Sequence, residues 1–289
     1  MIRPLLLLLA SAALAALPGA DPQSILHTQR SGPGDLEVGG ELPGLPPGAT
    51  RYIRYKELLS LPQETHTVSD DSNLPAKTEI SGVPLESLAH LLGKPPSDSL
   101  IVAICDDQYR ANFPHDYISA HHPLLVLRIN GKFHGQWPAM QDGGAAAPYL
   151  ISHPFFKPAF RVLSHEDEPQ IPYGIVRVEF RRESVVFGAI RPPGRWLADS
   201  PVAQGYIIAR QDCFRCHNMG SEGGTKAGRT WLQLAARATH DPPRFRLTMR
   251  SPTAVNPAAA MPPHSSYDDA TLDALTAYFK TFDTARRKR

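Results

Sequence analysis

Two of the three cysteines in this chain, Cys213 and Cys216, fall within the stretch CFRCH, and His217 follows at once. This spacing constrains the fold more than any other feature. On a helix, positions i and i+3 face the same side, with i+4 beside them. Two thiols on one face can each bond to one edge of a flat macrocycle, and the neighbouring imidazole is then held under its central metal. Cys-x-x-Cys-His is the signature of covalent haem attachment.

Other uses of the pair require surroundings that the sequence lacks. A thioredoxin-like dithiol follows a strand and opens a helix near a βαβ unit, whereas a helical pattern precedes this motif. A zinc site needs a second ligand pair, and neither His240 nor His264 belongs to a paired motif. A disulfide across Cys-x-x-Cys on a helix is strained.

With His217 on the proximal side of the metal, the opposite ligand has to come from downstream. Met219 is tethered to the same side as His217. The candidates are Met249, Met261, His240 and His264. Met261 lies in NPAAAMPPHSSYDD, 44 positions beyond His217 (261 − 217), where Pro262 and Pro263 stiffen the loop just before a final helix. Met261 is the expected distal ligand, with His264 on the same loop as runner-up, since imidazole also binds iron well.

The N-terminus reads as an export signal. Arg3 is followed by an apolar run from Leu5 to Leu17 and then by small residues, the charged, apolar, small-residue order of a secretory signal. Cleavage after Ala15 or after Ala20 fits. The run is short of the ~20 residues that span a bilayer, and no second run of spanning length follows. The expectation is therefore a periplasmic or otherwise extracytoplasmic protein with no transmembrane segment in its mature chain. The net charge of +2 is too small to point to nucleic acid as a partner. An odd cysteine count leaves Cys105, at the end of the apolar run SLIVAIC, as a buried unreactive thiol.

The chain divides by pattern. Residues 1–20 read as the signal, and the Gly- and Pro-rich residues 21–50 as a leader with little regular structure. Residues 51–190 read as an α+β domain weighted towards strands. RYIRYKELLSL is a strand entering a short helix. VPLESLAHLLG is a helix ending on Gly93. SLIVAIC is a buried strand. PLLVLRINGKFHG is a hairpin around Asn130-Gly131. GIVRVEFRR is a strand with Val176, Val178 and Phe180 on one face, and SVVFGAI is a further short strand. Residues 191–198 read as a linker. Residues 199–289 read as all-α, with helices over PVAQGYIIARQDCFRCH, TWLQLAARAT and SYDDATLDALTAYFKTF, the last capped by Ser266 with Asp269. Arg237, Arg244, Arg246 and Arg250 are candidates to pair with haem propionates or are plain surface charge. His121, His122 and His134 read as surface or partly satisfied histidines. Asp106, Asp107, Tyr109 and Arg110 either line a pocket or form the polar end of a strand.

On CFRCH, the MPP loop and the closing LTAYF helix, residues about 199–284 resemble a monohaem class I c-type cytochrome. The resemblance implies thioethers at Cys213 and Cys216, His217 as proximal and Met261 as distal iron ligand, and one-electron transfer. In the other half, ISGVPLESLAHLLG, LIVAICDDQYRANFPHDYI, LLVLRINGKFHGQW and GGAAAPYLI follow in an order similar to the molybdopterin-binding domain of the sulfite oxidase family. That family binds molybdenum through a cysteine upstream of the Gly-x-x-Leu helix. The corresponding stretch here, THTVSDDSNLPAKTEI, has none, so the resemblance implies the fold without the metal centre. The expected function is an exported c-type cytochrome with one covalent haem c, whose N-terminal domain docks a redox partner protein. The alternative is an oxidoreductase whose N-terminal domain binds a pterin (molybdopterin) or a small substrate and passes electrons to the haem. A haem-bearing sensor is a third reading.

Overall fold

The computed structural model describes residues 25–93, 98–140, 143, 144, 146 and 148–283. The signal expected over residues 1–20 lies outside them. The chain is a mixed α/β protein. Its strands are β1 Leu36–Gly40, β2 Arg51–Ile53, β3 Glu64–Val68, β4 Thr78–Pro84, β5 Ser99–Cys105, β6 Arg110–Pro114, β7 Leu124–Ile129, β8 Lys132–Phe133, β9 Leu150–Ser152, β10 Arg161–Val162, β11 His165–Glu166 and β12 Ile175–Arg182. Its helices are α1 Tyr55–Ser60, α2 Leu85–Leu91, α3 His115–His121, α4 Glu183–Val186, α5 Pro201–Asp212, α6 Trp231–His240, α7 Pro242–Arg250, α8 Pro252–Val255 and α9 Asp269–Lys280.

One five-stranded sheet runs β2-β1-β12-β5-β6, and a second runs β3-β4-β7-β8 with β9 added to β7. The hairpin expected at Asn130-Gly131 is present between β7 and β8, with both residues at positive φ (50° and 72°). This is the conformation that a two-residue turn needs to match strand twist.

β5 explains why an unbroken apolar run was needed. Alternate residues of a strand face opposite sides, and both sides of β5 are covered. Ile101, Ala103 and Cys105 enter the core of the N-terminal half, together with Val178, Phe180 and Phe113. Leu100, Val102 and Ile104 enter a second core with Phe214, Trp231, Leu275 and Tyr278 from the C-terminal helices. Burying such side chains contributes about 1.5–3 kcal/mol each, so the helices are fastened to the sheet through its outer face.

Several expectations need correction. The stretch 21–50 is not only a leader. β1 lies inside the first sheet, parallel to β12 and antiparallel to β2, with Leu36 and Val38 fully buried. Its Gly-rich flanks hid it, because one of its two partners, β12, is more than a hundred residues away. In β12 a bulge falls between Ile175 and Arg177, so Ile175 joins Val178 and Phe180 in the core while Val176 is only half-buried. SVVFGAI is not a strand. It forms α4 and a following 3-10 turn, Phe187–Ile190, which place Val186, Phe187 and Ile190 in the second core beneath α5. α9 is capped by Asp268, whose carboxylate accepts from Thr271 N at 2.8 Å, and not by Ser266.

Helices are the only named elements from Pro201 to Lys280. α5 starts with Pro201 behind the Ser200 cap and crosses α9 closely. A Cβ on Gly205 would lie 2.2 Å from the Ala274 carbonyl oxygen, so the crossing depends on glycine. No helix among the described residues is long and apolar enough to cross a membrane.

Candidate functional site

The CFRCH stretch is the continuation of α5. Cys213 N–H donates to Ala209 O at 3.0 Å, and His217 N–H donates to Cys213 O at 3.0 Å, so the chain keeps a helical turn through the motif. Both thiols are unbonded and half-buried. Between them Phe214 points inward, fully buried, and packs edge-on to Trp231 with ring centroids 5.5 Å apart.

The loop that follows wraps back over the motif. Gly224 N donates to Phe214 O, Ala227 N to Cys216 O, and Trp231 N to Asn218 O at 2.7 Å. The return is so close that a Cβ on Gly224 would lie 1.8 Å from Arg215 O, and one on Gly223 would lie 2.5 Å from the Phe214 ring. The wrap ends at the imidazole, where His217 Nδ1 meets the Arg229 carbonyl oxygen at 2.8 Å. A carbonyl only accepts, so Nδ1 carries the proton and Nε2 the lone pair. Burial also pushes the His217 pKa down and keeps the ring neutral. A neutral imidazole with its far nitrogen free and its near nitrogen anchored on a carbonyl is what a metal ligand requires.

The four distal candidates part ways. His240 is exposed at the end of α6, and Met249 is a buried member of the core. His264 stacks on Tyr267 with centroids 4.8 Å apart, and its Nδ1 lies 3.7 Å from the Asp212 carboxylate. Met261 is half-buried and packs on the same core as Cys213 and Met219.

The motif is docked on the N-terminal half. Asp106, Asp107 and Tyr109 form the polar turn that ends β5, and Arg110 opens β6; Asp107, Tyr109 and Arg110 also make the seam with the motif. Arg110 N donates to Arg215 O at 2.9 Å, Thr225 N to Gln108 O at 3.2 Å, and Lys226 pairs with Asp107. Arg215 donates to the Tyr109 hydroxyl at 3.4 Å. Cys105, close behind, has its thiol pushed up to about 12 by burial and by Asp107 and Asp106. It is inert, as expected of a buried strand cysteine.

A chain of buried polar groups leads away from the motif. The Tyr267 hydroxyl bonds the Asp212 carboxylate, and His165 Nδ1 lies 2.9 Å from that hydroxyl. His165 Nε2 donates to Gln211 Oε1 at 2.8 Å, and Gln211 Nε2 donates to Asp167 Oδ1 at 2.6 Å. His121 Nε2 donates to Asp167 Oδ2 at 2.8 Å. Burial raises the Asp167 pKa, but the bonds from His121, Gln211 and Ala159 N outweigh it and hold the carboxyl below the usual carboxylate range. His121, expected to be a surface or partly satisfied histidine, is a buried link in this chain.

Beside it the Tyr117 hydroxyl meets His153 Nε2 at 2.9 Å, and burial, then His121, push His153 down to about 3. In the unfolded chain a histidine titrates near 6.5. Between those values the unfolded state binds more protons, so stability is lost as pH falls below about 6.5. At pH 5 the loss from this group is about 2 kcal/mol. His153→Gln keeps an acceptor for Tyr117 but does not titrate. Urea melts at pH 7 and pH 5 should show a correspondingly smaller acid loss in that variant.

His165, Glu168 and Asp212 place three ligand atoms within 4.8 Å of one another. A cation has little to gain there. Arg215 already lies 3.5 Å from Glu168 and 3.4 Å from Asp212, and both His165 nitrogens have partners.

A thiolate-held molybdenum does not fit the other half. The stretch 65–80 forms the β3–β4 hairpin, and its buried acid, Asp71, accepts from Ser152 Oγ at 2.6 Å and from Asn73 N at 2.8 Å. The nearest sulfur in sequence, Cys105, faces the core.

Of the candidate arginines, Arg246 and Arg250 pair with Asp269. Arg237 is held below the usual guanidinium range by partial burial and by Arg229 and Arg244. None of these last three forms an ion pair among the described residues.

No protein-family model and no curated protein matches the chain. Among solved structures it is similar to the sulfane dehydrogenase SoxCD from Paracoccus pantotrophus, at 15% identity and a TM-score of 0.33. That match covers 51% of this chain and 38% of that one, well under two thirds of its length.

The polar chain from Asp212 to His121 had no sequence signal. Its links join residues 44 to 102 positions apart, and no local spacing marks them.

Proposed function

We propose that this chain is an exported electron-transfer protein. In this reading helices α5–α9 form a cytochrome c fold with one covalent haem c, and the α+β half docks a redox partner protein or supports the haem domain. One observation carries it: the hydrogen bond from His217 Nδ1 to the Arg229 carbonyl, beside two unbonded thiols one helical turn apart. A dithiol or a structural disulfide would have no use for an imidazole anchored in this way.

Haem, when bound, supplies one-electron chemistry at its iron. The chain's own residues do the rest. The Cys213 and Cys216 thiols would hold the haem through thioether bonds to its two vinyl groups, an addition that consumes no oxidant. The Arg229 carbonyl fixes the tautomer and ring plane of His217, whose Nε2 would hold the iron. Met261, presented by Pro262 and Pro263, would supply the second protein ligand. A Met/His pair raises the reduction potential above that of two imidazoles. The uncompensated charge at Arg229, Arg237 and Arg244 suits an acidic face on the partner, so electron exchange should slow as salt screens it.

The test is expression with an export signal in a haem-competent host. One iron per chain, a haem that survives acid–acetone extraction, and no molybdenum are expected. Haem that extracts freely would overturn the reading. Met261→Ala should keep the covalent haem but open the sixth position, giving a high-spin spectrum and ready carbon monoxide binding. An unchanged spectrum would reassign the distal ligand, with His264→Ala as the next variant.

A further inference from the structure

The loop that leads into α5, residues 191–200, reads RPPGRWLADS. Leu197 is 77% exposed, more than any other large apolar side chain among the described residues, and its neighbour Trp196 is 46% exposed. Pro193 and Trp196 face Ala277, Lys280 and Thr281, at the C-terminal end of α9, across a shallow hollow of about 270 Å³. Singly exposed apolar residues are common. What sets this pair apart is how the polar groups around it are arranged.

Those groups are satisfied from within the loop. Trp196 Nε1 donates to Pro193 O at 3.0 Å, and Leu197 O accepts from Ser200 N at 3.0 Å and from Ser200 Oγ at 2.6 Å. Ser200 is also the cap of α5, and Pro192 and Pro193 stiffen the approach to the tip. A segment that dips into the acyl region of a bilayer finds no water there to pair its polar groups. This tip brings its own partners for the indole N–H and the Leu197 carbonyl, and it is already ordered. A protein partner would explain exposed apolar side chains, but it gives no reason for polar groups closed on themselves.

Charge says which lipid surface suits the tip. Arg195 is exposed beside Trp196, and Lys280 lines the hollow. The sequence continues past Asp283 with TARRKR, residues 284–289, which add four cations. Six residues reach at most about 20 Å, so these charges stay near the hollow that Asp283 lines. The acids alongside are Asp199 and Asp283. Cations are therefore concentrated here, in a chain whose net charge is only +2. Each cation close to an anionic bilayer is worth about fivefold in affinity. Tryptophan settles at the boundary between headgroups and acyl chains, and apolar insertion joined to a polybasic segment is the pair of signals that stable anchorage takes.

We infer that the tip Arg195-Trp196-Leu197, with Lys280 and the basic residues 286–289, attaches this protein to an anionic lipid surface. Trp196 and Leu197 enter the headgroup–acyl boundary, and the cations pair with lipid phosphates. The protein lies on the bilayer through this loop and does not cross it. The inference does not rest on haem; it gives electron transfer a surface on which to take place.

The test is flotation of the protein recovered after export and removal of its apolar leader, with vesicles of phosphatidylethanolamine and phosphatidylglycerol. The protein should rise with them, and it should bind pure phosphatidylcholine vesicles at least about tenfold more weakly. Leu197→Asn changes a side chain that packs on little, so the Tm should hold while binding falls about tenfold or more. Leu197→Phe, which keeps the apolar surface, should keep the binding. Glutamine at Arg286, Arg287, Lys288 and Arg289 together should weaken binding by more than about a hundredfold. No flotation with the anionic vesicles overturns the inference, and so does equal binding to phosphatidylcholine. Binding that survives Leu197→Asn overturns it too, since the contact would then be purely electrostatic, as an acidic protein face would make. None of these readings uses the haem, so their failure is distinct from failure of the electron-transfer reading.

Discussion

Serine at both Cys213 and Cys216 is expected to abolish covalent haem altogether. The double variant should leave a haem-competent host with a mass equal to the bare chain, and its pyridine haemochrome band should be absent after acid–acetone extraction. The single variants should each keep one thioether, with the haemochrome maximum shifted by the remaining vinyl group. The expectation follows from placement. The two half-buried thiols stand one turn apart on the continuation of α5, and the other sulfurs of that core, Met219, Met249 and Met261, are thioethers that cannot add to a vinyl group. Cys105 cannot substitute. Its thiol is buried in the other core and pushed up to about 12, so almost no thiolate forms at neutral pH. If the double variant still carried covalent haem, the attachment site would lie elsewhere and the reading of CFRCH would fail.

The second large effect is on folding. Gly205→Val should destabilise the protein by at least about 3 kcal/mol and lower its Tm by about 6–12 °C. Even a Cβ at this position meets the Ala274 carbonyl oxygen at 2.2 Å, its carbon at 2.7 Å and the Tyr278 Cβ at 2.7 Å. Two of the three obstacles are α9 backbone, which cannot rotate aside. The helices must separate, and that opens the core holding Trp231, Tyr278 and Phe279. A valine gains nothing in helix propensity large enough to offset this. Gly228 is the matched control, since a Cβ there meets nothing within 4 Å. Gly228→Ala should leave thermal melting within a degree of the parent. A Gly205→Val protein that melted normally would mean that α5 and α9 do not cross as described.

Both predictions start from patterns visible in the chain, yet they differ in how far the sequence carries them. CFRCH states its own geometry, because positions i, i+3 and i+4 are brought together by the helix itself. The same holds for the hairpin at Asn130-Gly131, where the turn residues dictate the strand pairing, and for the strand SLIVAIC, whose length and composition mark it as buried on both faces. Gly205 carried no such mark. An isolated glycine in a helical pattern reads as a weak point until a neighbouring helix is seen to occupy the space.

The misread segments share one cause. β1 sits among glycines and prolines, and it is a strand only because β12 and β2 lie on either side of it. The apolar run SVVFGAI has strand composition, but Phe187 and Ile190 are needed beneath α5, and a turn of helix delivers them there. The Val176 face was displaced by a one-residue bulge, which reverses every inference drawn from alternation on its far side. Propensity is worth a few tenths of a kcal/mol per residue, and packing at these positions is worth more.

What the sequence determined by itself is the local chemistry: two thiols and an imidazole on one helical turn, a methionine on a proline-stiffened loop, and the alternations that name most of the strands. Each depends on residues within one or two turns of each other, whose relative positions the backbone periodicity already sets. Only the tertiary structure decided which carbonyl fixes His217, that Asp107, Tyr109 and Arg110 form the seam against the motif, and that His121 is buried. Those relations join residues up to 119 positions apart. No spacing rule reaches that far, because the chain between is free until the two cores on β5 have formed.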